Sequence, residues 1–337
     1  MLQVVLGRTG LRVNKDGFGA LPVQRTGMDE AVRILQKALE GGINFFDTAR
    51  VYSDSEEKIG AALSSRRDQF ILATKTPAKT AEAFRRDLEI SLRLLRTDHI
   101  DIYQFHNPEF CPRPGDGTGL YEAMLAARDQ GKIRFIGISN HRLSTAQEAV
   151  ESGLYDTLQF PFNYLSDERD EALVRRCAEK NVGFIAMKAL SGGLLTDVAV
   201  SRSWLARFEQ VVPIWGIQRE KELDMLLAAM KDDSLPGEAR LRRIEADRAE
   251  LSGAFCRGCG YCMPCPVEII IHMCARMSLI VRRMPSESFR SEQWQREMNK
   301  IPNCLHCGVC ASRCPYGLDT PGLLEKNYWD YQAFLAG

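Results

Sequence analysis

Short apolar segments alternate with longer amphipathic segments from about residue 13 to residue 217. The apolar segments are continuous runs, which are typical of parallel strands that are covered on both faces. The pattern predicts strands at residues 44–48, 70–75, 100–106, 133–140, 157–163, 183–188 and 211–217. A weaker first strand, loosened by two glycines, is predicted at residues 16–21.

Amphipathic helices are predicted between these strands. Residues 29–40 place their apolar side chains on one stripe, and a Gly-Gly pair ends that helix. The other predicted helices span residues 80–95, 120–130, 144–152, 167–180 and 220–231. Eight strands alternating with helices over about 235 residues predict an α/β fold of the (β/α)8 TIM-barrel type, since a doubly wound open sheet usually has fewer strands.

The last third of the chain has a different pattern. Residues 231–250 are strongly charged and contain a Pro-Gly pair, which indicates a partly helical connector with a solvated face. Two further helices are predicted at residues 267–283 and 292–300. We therefore expect a barrel domain over residues 1–235, a charged connector over residues 236–250 and a second, helical domain over residues 251–337.

The bulk composition excludes several classes of partner. The chain has 337 residues, of which 45% are hydrophobic and 26% charged, as in an ordinary soluble globular protein. Because Lys+Arg and Asp+Glu are equal at 44 each, no global field favours nucleic acid or a membrane surface. Neither a signal peptide nor a run of apolar residues long enough to span a bilayer is present. We expect a cytoplasmic protein with no nucleic-acid partner and no membrane partner.

Cysteine is the unusual residue in this composition. Eight of the eleven cysteines form two blocks, which are Cys256, Cys259, Cys262 and Cys265, then Cys304, Cys307, Cys310 and Cys314. In a reducing compartment, clustered thiols usually bind metal or carry out redox chemistry. The second block has the C-x2-C-x2-C-x3-C-P spacing of bacterial ferredoxins. Zinc is the alternative, but a tetrahedral zinc site has no use for the regular third cysteine or for the Cys-Pro ending.

Polar side chains are predicted at the C-terminal ends of three successive strands, at Asp47, Lys75 and His106. Catalytic groups occupy this edge of a TIM barrel, and Tyr52 follows in the loop after Asp47. A neighbouring Lys75 ammonium would lower the pKa of Tyr52 from its ordinary value of about 10, and Asp47 would keep Lys75 charged. Tyr52 could then protonate a carbonyl oxygen as hydride reaches the carbon, while His106 orients that carbonyl through a hydrogen bond.

Three segments resemble motifs of the aldo-keto reductase family, in the family's order along the chain. They are GINFFDTARVYSDSEEKIG, ILATKTP and IDIYQFHNP. The resemblance covers roughly residues 1–230 and implies a catalytic tetrad of Asp47, Tyr52, Lys75 and His106. It also implies an oxidoreductase that interconverts a small-molecule carbonyl compound and an alcohol with NADP(H) or NAD(H).

Further segments resemble the family's nicotinamide pocket. IGISNH and LQFPFNY imply that Ser139, Asn140 and Gln159 contact the nicotinamide. Met187, in IAMKAL, stands where many members stack a tyrosine on the nicotinamide ring.

The segment that would hold the 2′-phosphate departs from the family pattern. Many members carry a Lys-Ser pair and a later Arg there, whereas this sequence has Gly216, Ile217 and Glu222. Arg219 or Lys221 could substitute for them. The sequence therefore leaves the choice between NADPH and NADH open.

The tail resembles that of a subgroup of iron–sulfur aldo-keto reductases, which implies a ferredoxin-like domain with two [4Fe-4S] clusters. Carried over from the ferredoxin pattern, one cluster takes Cys256, Cys259, Cys262 and Cys314, and the other takes Cys304, Cys307, Cys310 and Cys265. The first block has only two residues between Cys262 and Cys265, so Cys274 is the alternative fourth ligand.

Three functions follow from this combination, because hydride transfer moves two electrons whereas an iron–sulfur cluster moves one. The first is a nicotinamide-dependent aldo-keto reductase whose clusters link to one-electron carriers, such as a ferredoxin or another redox protein. The second is a flavin- or ferredoxin-coupled redox enzyme in which the clusters feed electrons to a barrel-bound substrate, although no motif indicates a flavin. The third is an electron-transfer subunit with a vestigial barrel, which the intact tetrad opposes.

Overall fold

Eight parallel strands close into a barrel in the computed structural model, which describes residues 2–251, 255–283 and 286–336. The chain starts with an antiparallel pair, β1 Gln3–Val5 and β2 Arg12–Asn14. The barrel strands are β3 Gly17–Gly19, β4 Phe45–Asp47, β5 Ile71–Thr76, β6 Ile100–His106, β7 Ile133–Ser139, β8 Thr157–Pro161, β9 Gly183–Met187 and β10 Val211–Gly216. Each strand pairs with the next one in the chain, and β10 pairs with both β9 and β3 to close the barrel.

A helix follows each barrel strand, as the (β/α)8 architecture requires. In chain order these are α1 Met28–Glu40, α2 Ser55–Leu63, α3 Ala81–Leu95, α4 Leu120–Asp129, α5 Leu143–Ser152, α6 Glu168–Glu179, α7 Val198–Leu205 and α8 Glu220–Ala229. The later helices are α9 Glu238–Glu250, α10 Ile271–Cys274, α11 Met277–Arg283, α12 Glu292–Met298, α13 Val309–Ser312 and α14 Thr320–Ala336. Short 3-10 helices lie at Gly7–Thr9, Pro22–Arg25, Ser64–Gln69, Ser191–Gly193, Glu287–Arg290 and Ile301–Asn303.

The antiparallel pair covers one end of the barrel. Buried apolar residues from this pair and from the strands form one cluster, which contains Leu6, Leu11, Val13, Phe45, Ala73, Ile102, Ile185, Val212 and Ile214. Gly183 begins β9, and a side chain there would overlap Leu6, so the pair lies at the N-terminal end of the strands. The opposite, C-terminal end presents the predicted polar side chains.

The chain divides into two units. The barrel unit contains Met1–Ala189 and Val198–Gly237, and the cysteine unit contains Leu190–Asp197 and Glu238–Gly337. The cysteine unit has a core of its own, made of Cys262, Ile269, Ile271, Cys274, Ala275, Met277, Ile280, Met298, Ile301, Cys310, Leu324 and Tyr331. Most of the segment interpreted as a connector is helix α9, and residues 190–197 pack within the cysteine unit.

Every strand and helix predicted for the barrel is present, with ends that differ by a few residues. The patterns missed β1, β2, α2, α7, α13 and α14. The apolar residues of α14 do not form one stripe, so helical periodicity could not reveal it. The prediction of one helix over residues 267–283 is wrong. Glu268 has a φ of 57°, which a helix does not admit, and residues 275–276 separate α10 from α11.

Within the part of the chain that the structure describes, no helix is both long enough and apolar enough to cross a membrane.

Candidate functional site

Three neighbouring strands bring the predicted polar side chains to one end of the barrel. Asp47 and His106 are the last residues of β4 and β6, and Lys75 is the last but one residue of β5. Tyr52 lies in the turn after β4. Its ring centroid is 5.3 Å from the Lys75 ammonium and 5.7 Å from the His106 ring, which stands nearly perpendicular to it. The structure therefore brings all four members of the predicted tetrad together.

Lys75 and Asp47 form a buried ion pair. The Lys75 ammonium donates to both carboxylate oxygens of Asp47, at 2.7 and 2.9 Å, and to the backbone oxygen of Thr48 at 2.6 Å. Lys75 is 1% exposed and Asp47 is 2% exposed. Burial lowers the pKa of Lys75 and raises that of Asp47, while the attraction between their charges opposes both shifts. The three N–H donors of the ammonium all have acceptors other than Tyr52.

The predicted effect of Lys75 on Tyr52 is not found. Burial raises the pKa of Tyr52, and the negative charge of Asp47 raises it further. The Lys75 ammonium lies over the ring in a cation–π contact instead of donating to the hydroxyl. The predicted lowering of the Tyr52 pKa is therefore wrong, because burial and the charge of Asp47 dominate. Tyr52 therefore keeps its proton at neutral pH.

His106 is neutral at physiological pH. Burial, together with the positive charge of Lys75, lowers the pKa of His106 to about 3. Its Nδ1 has no hydrogen-bond partner among the described residues. A neutral imidazole keeps one N–H donor and one acceptor, so His106 can donate a hydrogen bond without carrying a charge.

Two glutamines surround Asp47, and the sequence analysis missed one of them. Gln104 Nε2 donates to Asp47 Oδ2 at 3.3 Å and to Gln159 Oε1 at 2.9 Å, and Gln159 Nε2 donates to Asp47 Oδ1 at 3.3 Å. Gln104 is fully buried, and its Oε1 lacks a hydrogen-bond partner in the described part of the chain. A signal for Gln104 was present in the sequence, since residues two apart in a strand, such as Gln104 and His106, face the same side.

The residues predicted to contact a nicotinamide follow on the next strands around the barrel. Ser139 ends β7, where it lies opposite His106 of β6 and Gln159 of β8. Asn140 follows Ser139 directly, and Met187 ends β9. The register therefore places His106, Ser139 and Gln159 side by side, whereas Met187 lies opposite Pro161, two residues beyond Gln159.

Three of these side chains keep donors that could hold a carboxamide. Asn140 Nδ2 donates to the backbone oxygen of Pro108 at 2.9 Å, and Gln159 Nε2 donates to Asp47. A primary amide has two N–H donors, so each of these groups keeps one for a ligand. The Ser139 hydroxyl is 3.4 Å from its acceptor, and a ligand could replace so long a bond. The donor set fits the carboxamide of a nicotinamide.

Arg219, which was also predicted to contact the cofactor, is bound to Glu222 at the start of α8. Arg219 Nε donates to Glu222 Oε1 at 3.1 Å. Glu222 Oε2 accepts from the backbone N–H groups of Gln218 and Arg219, at 2.8 and 3.1 Å. A helix N-terminus ordinarily favours an anion. Here the chain's own carboxylate takes that position.

A second buried ion pair, which the sequence analysis also missed, supports the strand that carries Lys75. Arg50 pairs with Glu56, and the Glu56 carboxylate accepts from the hydroxyls of Thr74 and Ser91, each at 2.7 Å. The backbone N–H of Arg50 donates to the backbone oxygen of Lys75 at 2.9 Å. These bonds hold the loop after β4 against β5.

The two cysteine blocks line two hollows within the cysteine unit. The first hollow is lined by Cys256, Cys259, Cys262 and Cys314. The second is lined by Cys304, Cys307, Cys310 and Cys265, and Cys262 also lines it. These are the two sets of four that the ferredoxin pattern implies.

Cys265 and Cys274 differ in their surroundings. Cys265 is half-buried, lines the second hollow and precedes Pro266. Cys274 is fully buried in the core of the cysteine unit and lines neither of the two hollows.

The hollows suit a group larger than one metal ion. Among the described residues, no three His, Cys, Asp or Glu side chains come close enough together to hold a single ion. A cubane cluster instead spreads its four thiolate ligands around a body of iron and sulfur atoms. Four thiols around each hollow therefore form a donor set that fits a [4Fe-4S] cluster.

Comparison with known families agrees with this geometry. A model of the Aldo/keto reductase family matches residues 16–203, which is more than half of the chain. The chain belongs to the aldo/keto reductase family. A model of the 4Fe-4S dicluster domain matches residues 255–319, which contain both cysteine blocks. This member of the family thus combines a TIM barrel with a 4Fe-4S domain.

Known members of the family are similar to this protein over part of its chain. Aldo-keto reductase YhdN of Bacillus subtilis is 33% identical over 207 residues, which cover 56% of this chain and 62% of YhdN. L-galactose dehydrogenase of Arabidopsis thaliana is 33% identical over 211 residues, which cover 57% of this chain and 66% of that protein. The chain therefore matches less than two thirds of the length of either relative.

A solved structure shows the same fold. Aldo-keto reductase AKR11C1 from Bacillus halodurans, in its holo form, superimposes with a TM-score of 0.64 at 23% sequence identity. The superposition covers 73% of this chain and 96% of that chain. At this level of identity the likeness concerns the barrel fold alone.

Proposed function

We propose that the barrel catalyses the nicotinamide-dependent interconversion of a small-molecule carbonyl compound and its alcohol, and that the cysteine unit holds two [4Fe-4S] clusters that exchange single electrons with a carrier. The first part rests on one observation, the meeting of Tyr52, His106 and the buried Lys75–Asp47 pair at one end of the barrel. Membership of the aldo/keto reductase family supports it.

Tyr52 is the proton donor in this proposal. When bound, the nicotinamide supplies the hydride that reduces the carbonyl carbon. The carbonyl oxygen then becomes an alkoxide, which is more basic than a phenolate, so it takes the hydroxyl proton of Tyr52 even though burial raises the pKa of that residue. A proton from solvent restores Tyr52, and the balance is one hydride and one proton for each carbonyl group reduced.

His106 and Lys75 prepare the site for this transfer. The neutral imidazole of His106 donates a hydrogen bond to the carbonyl oxygen and orients it toward Tyr52. The Lys75 ammonium, 5.3 Å from the Tyr52 ring centroid, stabilises the negative charge that the ring gains as its proton leaves. Asp47 holds Lys75 in place.

The cofactor we propose is NADH, held at its carboxamide by Ser139, Asn140 and Gln159. The carboxylate of Glu222 already occupies the N–H groups at the start of α8 and is paired with Arg219. A 2′-phosphate at this position would meet a negative charge and a neutralised arginine. One relative, the NADH-specific methylglyoxal reductase of Escherichia coli, is 27% identical over 263 residues.

The names of the relatives suggest the class of substrate. They include methylglyoxal reductases and L-galactose dehydrogenase, which act on small polar molecules. We propose a substrate of this class, and methylglyoxal and L-galactose are the probes to use. The loop between β6 and α4, at residues 107–119, would set the finer choice, since binding residues often lie on such loops.

The second cluster would face the carrier. Cys307 is exposed, and the neighbouring Leu305 is 63% exposed. No acidic residue occurs between Lys300 and Tyr316, a stretch that includes the exposed Arg313. An apolar and basic surface of this kind favours a small acidic carrier such as a ferredoxin. Each transfer would oxidise the carrier by one electron and reduce one cluster by one electron.

The catalytic part is tested with the variant Tyr52→Phe. NADH consumption with methylglyoxal should fall by about 100-fold or more, since removal of a general acid typically costs 10²- to 10⁴-fold. Tyr328→Phe, in α14 of the cysteine unit, is the matched control and should keep the wild-type rate. An unchanged rate in Tyr52→Phe would refute the proposed role.

The cluster part is tested by purifying the protein without oxygen and measuring iron, acid-labile sulfide and the visible spectrum. Iron and sulfide in equal amounts, sufficient for two [4Fe-4S] clusters per chain, support the proposal, and bound zinc contradicts it. NADH and a reduced ferredoxin are then added separately. Bleaching by ferredoxin alone supports the carrier route, whereas bleaching by NADH alone rejects it and calls for a search for a flavin.

A further inference from the structure

Arg276 is a buried cation beside the first hollow. It lies between α10 and α11 and is 5% exposed. Its Nη2 donates to the backbone oxygen of Gly192 at 2.9 Å. Its Nε is buried without a hydrogen-bond partner, and no carboxylate among the described residues pairs with its guanidinium. The protein therefore buries a positive charge that no carboxylate among the described residues neutralises.

Two glycines leave the space that the Arg276 guanidinium occupies. Gly192 and Gly258 have φ values of 65° and 64°, in the left-handed region. A Cβ atom at Gly192 would lie 3.1 Å from Arg276 Nη1, and one at Gly258 would overlap that atom. The guanidinium thus occupies the space that both glycines leave open.

Gly258 ties Arg276 to the first cysteine block. It lies between Cys256 and Cys259, and its backbone N–H donates to Cys256 Sγ at 3.4 Å. Burial lowers the pKa of Arg276, and the charge of the Cys256 thiolate acts in the opposite direction, so the two groups are within electrostatic reach. An arginine remains charged even so.

In the described part of the chain, no Lys, Arg, Asp or Glu lines the second hollow. Its lining residues are Cys262, Pro264, Cys265, Pro266, Val267, Ile269, Ile271, Cys304, Leu305, Cys307, Gly308, Val309, Cys310, Pro321 and Leu324. The first hollow, by contrast, is also lined by Arg257, in addition to having Arg276 beside it. The two sites therefore differ in local charge although their thiol ligands are alike.

We propose that Arg276 is the counter-charge of the cluster bound by Cys256, Cys259, Cys262 and Cys314, and that it raises the reduction potential of this cluster above that of the other. A cluster with four thiolate ligands is an anion, and reduction adds one more negative charge. A nearby cation in a low-dielectric interior stabilises the reduced form more than the oxidised form. The inference rests on the proposed function, because it requires both clusters.

The consequence is a direction for electron transfer. An electron that enters at the second cluster, beside the exposed Cys307, would pass to the first cluster, where Arg276 stabilises it. In this step the second cluster is oxidised and the first is reduced by the same electron. Arg276 would then determine where the added electron resides.

An anaerobic redox titration followed by electron paramagnetic resonance tests this proposal. Iron and sulfide are measured first, because their absence would refute the proposed clusters and not the role of Arg276. In wild type we expect two one-electron steps at different potentials. In Arg276→Gln the potential of the upper step should fall by at least about 59 mV, which corresponds to a tenfold change in the ratio of reduced to oxidised cluster. The potential of the lower step should not change.

The control is Arg313→Gln, which removes an exposed cation near the second block and should move the upper step little, because solvent screens its charge. An unmoved upper step in Arg276→Gln, or an equal shift of both steps, would overturn the proposal. If Arg276→Gln loses the iron of one cluster, Arg276→Lys decides the matter. Recovery of both clusters and of the wild-type upper potential supports the counter-charge, and failure to recover them rejects it.

Discussion

Lys75 donates two hydrogen bonds to Asp47, at 2.7 and 2.9 Å, in a place where neither side chain is more than 2% exposed. The pair lies next to Tyr52, with the ammonium over the ring. In the proposed mechanism the pair has two roles. Each side chain neutralises the buried charge of the other, and Lys75 places a cation beside the ring of Tyr52, the proposed proton donor. Both roles depend on the same bonds.

Removal of the carboxylate from this pair should affect stability and rate together. Asp47→Asn leaves the Lys75 charge buried without its counter-ion, and breaking a buried pair in this way typically costs about 3–5 kcal/mol in the free energy of unfolding. We expect a loss of that size in chemical denaturation, and a fall of about 100-fold in the rate of carbonyl reduction.

The exposed pair of Lys37 and Asp224, at 2.7 Å, provides the matched control. Asp224→Asn should lower the free energy of unfolding far less than Asp47→Asn does, because water screens this pair. Equal losses in the two variants would contradict a special contribution from the buried pair.

His106 should make the folded protein less stable in acid. Its pKa is lowered from 6.5 to about 3 in the folded state, so between these values the unfolded chain takes up a proton that the folded protein does not. The stability is fully present above pH 6.5 and is lost as the pH falls toward 3. In His106→Asn the melting temperature should therefore fall less steeply over this range.

Two further histidines must be considered when the pH dependence of the melting temperature is interpreted. The exposed His306 gives a control variant, His306→Asn, whose melting curve should follow that of wild type. His141, whose pKa burial also lowers, is present in every variant and so cancels from the comparison. Parallel curves for wild type and His106→Asn would show that His106 does not carry this effect.

The charge of Glu222 should set the preference between NADH and NADPH. Glu222→Gln keeps an acceptor for the N–H groups of Gln218 and Arg219 but removes the negative charge. We expect the KM for NADPH to fall about fivefold relative to the KM for NADH, which corresponds to about 1 kcal/mol of relieved repulsion. Glu220→Gln, at the exposed residue that pairs with Lys37, should leave the ratio of the two KM values unchanged. If both variants shift this ratio equally, Glu222 has no specific role.

Cys265 and Cys274 should differ in their contribution to the second cluster. Cys265→Ser removes a thiol that lines the second hollow, so we expect iron and sulfide to fall toward the content of one intact cluster per chain. Cys274→Ser replaces a buried thiol outside both hollows and should keep the full iron content, with some loss of stability. If Cys274→Ser loses a cluster and Cys265→Ser does not, Cys274 and not Cys265 is the fourth ligand of the second cluster.

Much of this architecture could be predicted from the sequence because the relevant signals are local. Apolar runs identified all eight barrel strands, since a strand that is buried on both faces is apolar along most of its length. The spacing of the cysteines identified the sets of four that line the hollows. The polar residues at the strand ends pointed to Asp47, Lys75 and His106, because a parallel barrel gathers such ends on one side.

The features that the sequence did not reveal depend on contacts between distant segments. Tyr52 has a raised pKa because it is buried and lies near the charge of Asp47, and no local pattern reports either feature. Gln104 contacts Asp47 only because β6 lies close to β4 in the closed barrel.

Arg276 shows most clearly how contacts between distant segments decide a feature that the sequence did not reveal. By sequence it is one arginine in a segment that was predicted to be helical, and the pattern gave it no special role. In the folded chain it is buried between Gly192 and Gly258, residues that lie 84 and 18 positions away from it. Periodicity and spacing therefore suffice for strands and cysteine sets, whereas the environment of a buried charge is decided by tertiary packing, because its solvation and its partners come from parts of the chain that meet only on folding.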